Sequence, residues 1–188
     1  MSSFNIYMTG VGGQGIGLLS EVITKAFHKL GKNVKAVDTH GLAQRGGTVV
    51  SHLRAGDKLF SPLIPPHEAD LVLSLERLEA MRSMVEMLKP GGKVLFYDAT
   101  FQTIDNRLGN DKYPNVTDLE AIASKNDIKI IIAYKDDLPD SRMQNIILLK
   151  ELAKSNWIEG FSIDIIDEIL KEILPLQVYE KNEKILKD

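Results

Sequence analysis

Short apolar runs alternate with longer amphipathic stretches along most of the chain. Phe4 to Thr9 reads as a buried strand. It runs into Gly10-Val11-Gly12-Gly13-Gln14-Gly15-Ile16-Gly17, a glycine-rich turn. Leu18, Leu19, Val22, Ile23, Ala26, Phe27 and Leu30 then recur at helical spacing, and Gly31 ends that helix. Asn33 to Asp38 is the second strand, and Thr48 to Ala55, β-branched and alternating, is the third. A β-α-β unit of this length normally has a right-handed crossover between parallel strands. The third strand follows the second too closely for a helical crossover, so it is expected to run antiparallel to its neighbour.

Further on, Ala69 to Leu75 is a buried strand. Glu76 to Leu88 is a helix stopped by Pro90-Gly91-Gly92, and Lys93 to Asp98 is a strand. Thr100 to Pro114 is polar and poorly patterned, a surface excursion. Thr117 to Lys125 is a helix with Thr117 and Glu120 at capping-box spacing. Ile128 to Ala133 is a strand, Ser141 to Lys154 a helix, and Ser162 caps a last helix, Ile163 to Leu174. Residues 176–188 read as a charged tail after a domain spanning 1–175. The expected class is α/β: three α/β/α layers around a mostly parallel, Rossmann-like sheet with one or two antiparallel strands.

In such sheets ligands bind beyond the carboxyl ends of the strands. That edge collects residues 10–17, 38–47, 74–77 and 98–102. A helix that starts behind a glycine turn offers free N–H groups and the positive end of its dipole to an anion. Gly10, Gly12 and Gly15 match G-x-G-x-x-G, with Asp38 where a ribose-binding acid would stand. Gly13, Gln14 and Gly17 are surplus to that fingerprint. The Gln14 amide faces either a ligand or the turn's own backbone. Arg45, with Gly46 and Gly47 clearing space beside it, suits a phosphate or carboxylate through its planar fork, or else a salt bridge to an acid such as Asp38. His40 either donates to an anion, acts as a base, or is simply a hydrogen-bonded loop residue. His52 shares a strand face with Val50 and Arg54, opposite Ser51 and Leu53. Asp38 and Asp98 end strands, where each either binds a hydroxyl or caps a turn. Trp157 reads as packing. A β-branched residue at Gly13 is expected to weaken binding more than stability.

Composition narrows the chemistry. The chain has 188 residues, 44% apolar and 26% charged, with a net charge of -3. Nothing in that balance suggests a polyanion-binding surface, so nucleic acid is not expected as the main partner. No apolar run is long enough to span a bilayer and no leader is apparent, so the expected location is the cytoplasm. There is no cysteine, which excludes disulfides, a thiol nucleophile and cysteine-ligated iron–sulfur clusters on this chain. The four histidines show no metal-ligand spacing, and no metal site is expected. No Ser-His-Asp set, Walker lysine or adjacent carboxylate pair emerges. The residues themselves indicate an anion-binding α/β domain without a self-contained catalytic set.

The glycine turn at residues 10–17, taken with Thr39-His40-Gly41-Leu42-Ala43-Gln44-Arg45-Gly46-Gly47-Thr48-Val49-Val50-Ser51-His52-Leu53-Arg54, resembles the gamma-type subunits of 2-oxoacid:ferredoxin oxidoreductases. The branch most similar is the indolepyruvate oxidoreductase beta subunit. Ala69-Asp70 and Lys89-Pro90-Gly91-Gly92 add to the likeness, which extends to about Leu174. The resemblance implies a subunit of an enzyme that oxidatively decarboxylates a 2-oxoacid with coenzyme A, yielding acyl-CoA, carbon dioxide and reduced ferredoxin. Thiamine diphosphate and iron–sulfur clusters would be carried mainly by a partner subunit. Gly12, Gly13, Gln14 and Gly15 would face the coenzyme or the partner, and Arg45, Gly46 and Gly47 would line the same edge. The competing reading is a stand-alone Rossmann-type NAD(P)- or FAD-binding dehydrogenase or regulator, resting on Gly10, Gly12, Gly15 and Asp38.

Overall fold

Alternation of side chains across the strands sorts the apolar residues onto two faces of one sheet. In this computed structural model, which describes residues 3–39, 47–101, 108 and 112–188, the chain runs β1 (Phe4–Val11), α1 (Ile16–Lys29), β2 (Val34–Thr39), β3 (Thr48–Ala55), β4 (Ala69–Ser74) and α2 (Arg77–Glu86). It continues with β5 (Leu88–Tyr97), α3 (Val116–Lys125), β6 (Lys129–Ala133), a 3-10 turn (Ser141–Met143), α4 (Gln144–Ser155), α5 (Ile163–Ile173) and α6 (Leu176–Lys187). The sheet is six-stranded in the order β2-β3-β1-β4-β5-β6. β1, β4, β5 and β6 pair in parallel, while β3 runs against both β1 and β2.

Ile6, Met8, Leu53, Leu71, Leu73 and Leu95 enter a core with α1, α4, α5 and α6. Val72, Val94 and Phe96 enter a second core with Ala80 and Met84 of α2 and Leu119 and Ala123 of α3. The three layers expected from the sequence are present. The β1–α1–β2 unit differs from its simplest form. β1 and β2 point the same way but are not neighbours, because β3 lies between them.

Several element ends are corrected. α2 stops at Glu86 with Met87 as its C-cap, and Pro90-Gly91-Gly92 lies inside β5. The parallel ladder shifts register between Ala69 and Leu71, which lets Leu88 pair before the main run begins at Lys93. The capping box of α3 is Asn115 with Asp118, three residues apart like Thr117 and Glu120 but two positions earlier. Ser141–Met143 forms a tighter 3-10 turn ahead of α4, with Asp140 capping it through Arg142 N at 2.9 Å. Ser162 caps α5 as expected, its hydroxyl accepting from Ile165 N. Residues 176–187, set apart in the sequence by their charge, form α6 and bury Tyr179, Asn182, Ile185 and Leu186. Among the described residues no helix is long and apolar enough to cross a membrane.

Candidate functional site

The carboxyl end of β1 turns into α1 through Val11–Gly15. Gly10 lies where the turn folds back: a Cβ there would stand 3.0 Å from Gln14 Oε1 and 3.2 Å from Leu75 Cβ. Gly12 N donates to Gly47 O at 2.8 Å, so the two sequence motifs touch across the strand pair. Gly13 is exposed, with φ 103° and nothing within 4 Å of a Cβ position. Gly15 is the N-cap of α1 in the left-handed region, φ 90° and ψ 32°. No side chain caps α1 and no acid lies in its first turn. The N–H groups of that first turn have no side-chain cap, and no acid of the turn itself repels an anion.

Gln14 resolves toward the turn's own backbone. It is buried, its Oε1 accepts from Val11 N at 2.7 Å, and its Nε2 donates to Leu75 O at 2.7 Å and Gln144 Oε1 at 3.1 Å. Those bonds tie the ends of β1 and β4 to the start of α4. Asp38 is exposed and lines a shallow groove with Gly17, Ser20, Glu21 and Lys25. It pairs with Ser51, which in turn pairs with Met8, so β3 separates it from the glycine turn. Asp38 therefore stands two strand spacings from β1, one spacing of about 4.8 Å beyond the ribose position of a dinucleotide fold. Arg45, Gly46 and His40 lie outside the described residues.

His52 shares its face with Val50 and Arg54, as the alternation indicated. Its Nδ1 accepts from Ile64 N at 3.1 Å and its ring meets Tyr7 edge-on at 5.0 Å. Burial lowers its pKa. Burial, helped by Glu79 and Glu86, pushes the Tyr7 phenol up to about 12. Trp157 packs against the larger core with the Lys93 ammonium 5.7 Å from its ring centroid.

The same edge holds a buried acidic group that spacing alone did not reveal. Glu76, 1% exposed, caps α2: its Oε2 accepts from Glu79 N at 2.9 Å. Its Oε1 accepts from Phe101 N at 3.1 Å and from the Tyr113 hydroxyl, which fastens the chain on both sides of residues 102–111. Desolvation by burial raises the Glu76 pKa. Glu79 accepts from Thr48 Oγ1 at 3.2 Å and Arg82 Nη1 at 2.9 Å. Asp98 accepts from Arg77 Nε at 2.5 Å, an ion pair that neither sequence reading of this residue foresaw. An acid three residues ahead of Glu79 at a helix start was the available sequence signal. Among the described residues no cluster of three His, Asp or Glu could hold a metal ion.

This architecture has known counterparts. A family model described as pyruvate ferredoxin/flavodoxin oxidoreductase matches residues 5–188. An indolepyruvate oxidoreductase subunit IorB of Archaeoglobus fulgidus is 30% identical, over 97% of this chain and 92% of that protein. The IorB subunit of Pyrococcus horikoshii is 28% identical, over 96% of this chain and 89% of its own length. Pyruvate oxidoreductase subunit PORC of Thermotoga maritima shares the fold with a TM-score of 0.65 at 20% identity, over 99% of this chain and 94% of that one. A 2-oxoglutarate:ferredoxin oxidoreductase of Magnetococcus marinus, solved with 2-oxoglutarate, coenzyme A and succinyl-CoA bound, aligns at a TM-score of 0.67 and 17% identity. It covers all of this chain but only 30% of its own, so there the fold is one part of a longer polypeptide. With its sheet order, its joined glycine motifs and a family match over nearly its full length, this chain belongs to the pyruvate ferredoxin/flavodoxin oxidoreductase family and is a subunit of an oxidoreductase of that kind.

Proposed function

We propose that this chain is the IorB-type subunit of a 2-oxoacid:ferredoxin oxidoreductase and that its glycine turn receives the phosphate end of coenzyme A. The complex would decarboxylate a 2-oxoacid oxidatively, with an aryl pyruvate as the favoured substrate class. The products would be acyl-CoA, carbon dioxide and reduced ferredoxin. The names of the relatives support the substrate class. The observation that carries the reading is the open first turn of α1, uncapped and free of acids, with exposed Gly13 on one side and Gly47 bonded to Gly12 on the other.

This donor set fits a phosphate: backbone N–H groups, a helix dipole and no acidic side chain in the first turn. It does not fit an iron–sulfur cluster, since the chain has no cysteine. Thiamine diphosphate, which would supply the carbanion chemistry, and the clusters, which would carry the electrons, are assigned to a partner subunit. The chain's own part is to bind and orient. Gly12, Gly13 and Gly15 bring backbone close to the ligand, Gln14 holds the turn's shape from inside, and Gly10 permits the fold-back. Arg45 and Gly46 are proposed contacts on the sequence resemblance alone. Asp38, one strand away, is proposed to meet the partner rather than a ribose, and the complex is placed in the cytoplasm.

Co-expression with the thiamine-binding, cysteine-rich subunit tests the proposal. The purified complex is expected to reduce ferredoxin with indolepyruvate in a coenzyme A-dependent way and to turn over pyruvate and 2-oxoglutarate more slowly. This chain alone is expected to show no turnover. Turnover by the lone chain, or equal turnover by the partner without it, would overturn the proposal.

A further inference from the structure

Among the described residues two buried side-chain polar atoms have no hydrogen-bond partner, Thr9 Oγ1 and Asn145 Oδ1. Both adjoin the glycine turn. Thr9 directly precedes Gly10, and Asn145 reaches Gly15 from α4, its Nδ2 donating to Gly15 O at 3.2 Å. Native structures leave few such atoms unpaired, and those they leave call for an explanation. Asn145 is only 2% exposed, so bulk water does not satisfy its carbonyl oxygen. Its amide lies over the Cα of Gly15, the left-handed N-cap of α1; a Cβ on Gly15 would come within 2.5 Å of Nδ2. α4 begins at the same place, running on from the 3-10 turn Ser141–Met143 that Asp140 caps. The N-terminal end of α1 therefore meets the start of α4 at this turn.

We propose that Asn145 is a positioning and binding residue for the coenzyme at the glycine turn. Its Nδ2 holds Gly15 in the left-handed conformation that aims the first-turn N–H groups of α1 at the phosphate. Its Oδ1 accepts a hydrogen bond from an amide or hydroxyl donor on the same ligand. Coenzyme A carries both kinds of group, an anionic pyrophosphate and neutral amide and hydroxyl donors. The inference rests on the reading of this turn as the coenzyme site.

The test uses the assembled complex with Asn145→Leu and Asn145→Asp, coenzyme A as the probe and indolepyruvate as the oxoacid. Leucine has nearly the size of asparagine but neither donates nor accepts. Aspartate keeps the shape, drops the Nδ2 donor and brings negative charge to an anion site. Both variants are expected to raise KM for coenzyme A at least tenfold, aspartate more than leucine. kcat and KM for indolepyruvate should stay within about twofold of wild type. A KM for coenzyme A within twofold of wild type in both variants overturns the inference. If Asn145→Leu fails to fold, the aspartate variant decides alone by the same thresholds. If coenzyme A leaves amide exchange over residues 12–18 of the wild-type complex unchanged, the coenzyme reading of the turn fails, and this inference fails with it.

Discussion

Replacing Gly15 by alanine sets two effects against each other that the geometry lets one size. At φ 90° an L side chain is held in the left-handed region, which costs about 1–2 kcal/mol. The new Cβ would lie 2.5 Å from Asn145 Nδ2, well inside contact distance. Asn145 is buried and bonded to Gly15 O, so relief requires its amide to turn away and give up that bond. Overpacking of this kind costs about 1–3 kcal/mol. The lower chain entropy of alanine in the unfolded state returns about 0.4–1 kcal/mol. The net loss is about 1–5 kcal/mol, which for a chain of this size lowers Tm by roughly 2–20 °C. Urea denaturation of wild type, Gly15→Ala, Asn145→Ala and the double variant separates the two parts. Asn145→Ala removes the overlap but not the backbone strain, so the double variant should recover about 1–2 kcal/mol of coupling. An unchanged midpoint for Gly15→Ala, or additive effects in the cycle, would refute the contact between the turn and α4.

Three further outcomes are expected. In Gly13→Val the new Cβ meets no described neighbour within 4 Å, yet φ 103° forces a β-branched residue into a region it avoids. The sequence-based expectation that binding would suffer more than stability is therefore amended: about 1–3 kcal/mol of stability should be lost as well, read from a urea midpoint. Burial raises the Glu76 pKa, so its contribution to stability is full below the unfolded carboxyl value and lost as pH rises through the folded value. The Tm of Glu76→Gln minus that of wild type should accordingly increase with pH across that interval, and a flat or falling difference in thermal melts contradicts this. Ending the chain at Leu174 removes α6 and with it Ile185 and Leu186, 5% and 1% exposed, a loss of about 3–6 kcal/mol that calorimetry would register.

Much of the fold was legible because it is written in local patterns. β1, the glycine turn and α1 follow one another within a short stretch, and Ser162 stands one residue ahead of α5, where a cap belongs. What was not legible depends on long-range placement. The short connection after β2 indicated an antiparallel partner, but local spacing does not say on which side that partner lies. The insertion of β3 beside β1 is what removes Asp38 from the turn. At the start of α3 the backbone caps with Asn115 and Asp118, directly after Pro114, in place of the Thr117 and Glu120 read from the sequence. The lysines and glutamates of α6 masked a buried face that Tyr179, Asn182 and Leu186 mark at helical spacing. Asn145 lies 130 residues from Gly15 in sequence, so no motif could join them. The joining of residues 10–17 to Gly47, by contrast, was anticipated by reading the two motifs together, and one hydrogen bond at 2.8 Å makes the connection.

Hydrogen exchange of the backbone amides at residues 12–18, in the assembled complex with and without coenzyme A, reports directly on a phosphate held by the α1 N-terminus. The account predicts that coenzyme A slows exchange at Gly13, Gly17 and Leu18 while the far end of α1 near Lys29 is unchanged. Exchange at these amides indifferent to coenzyme A, in a complex that turns over with it, would contradict the account.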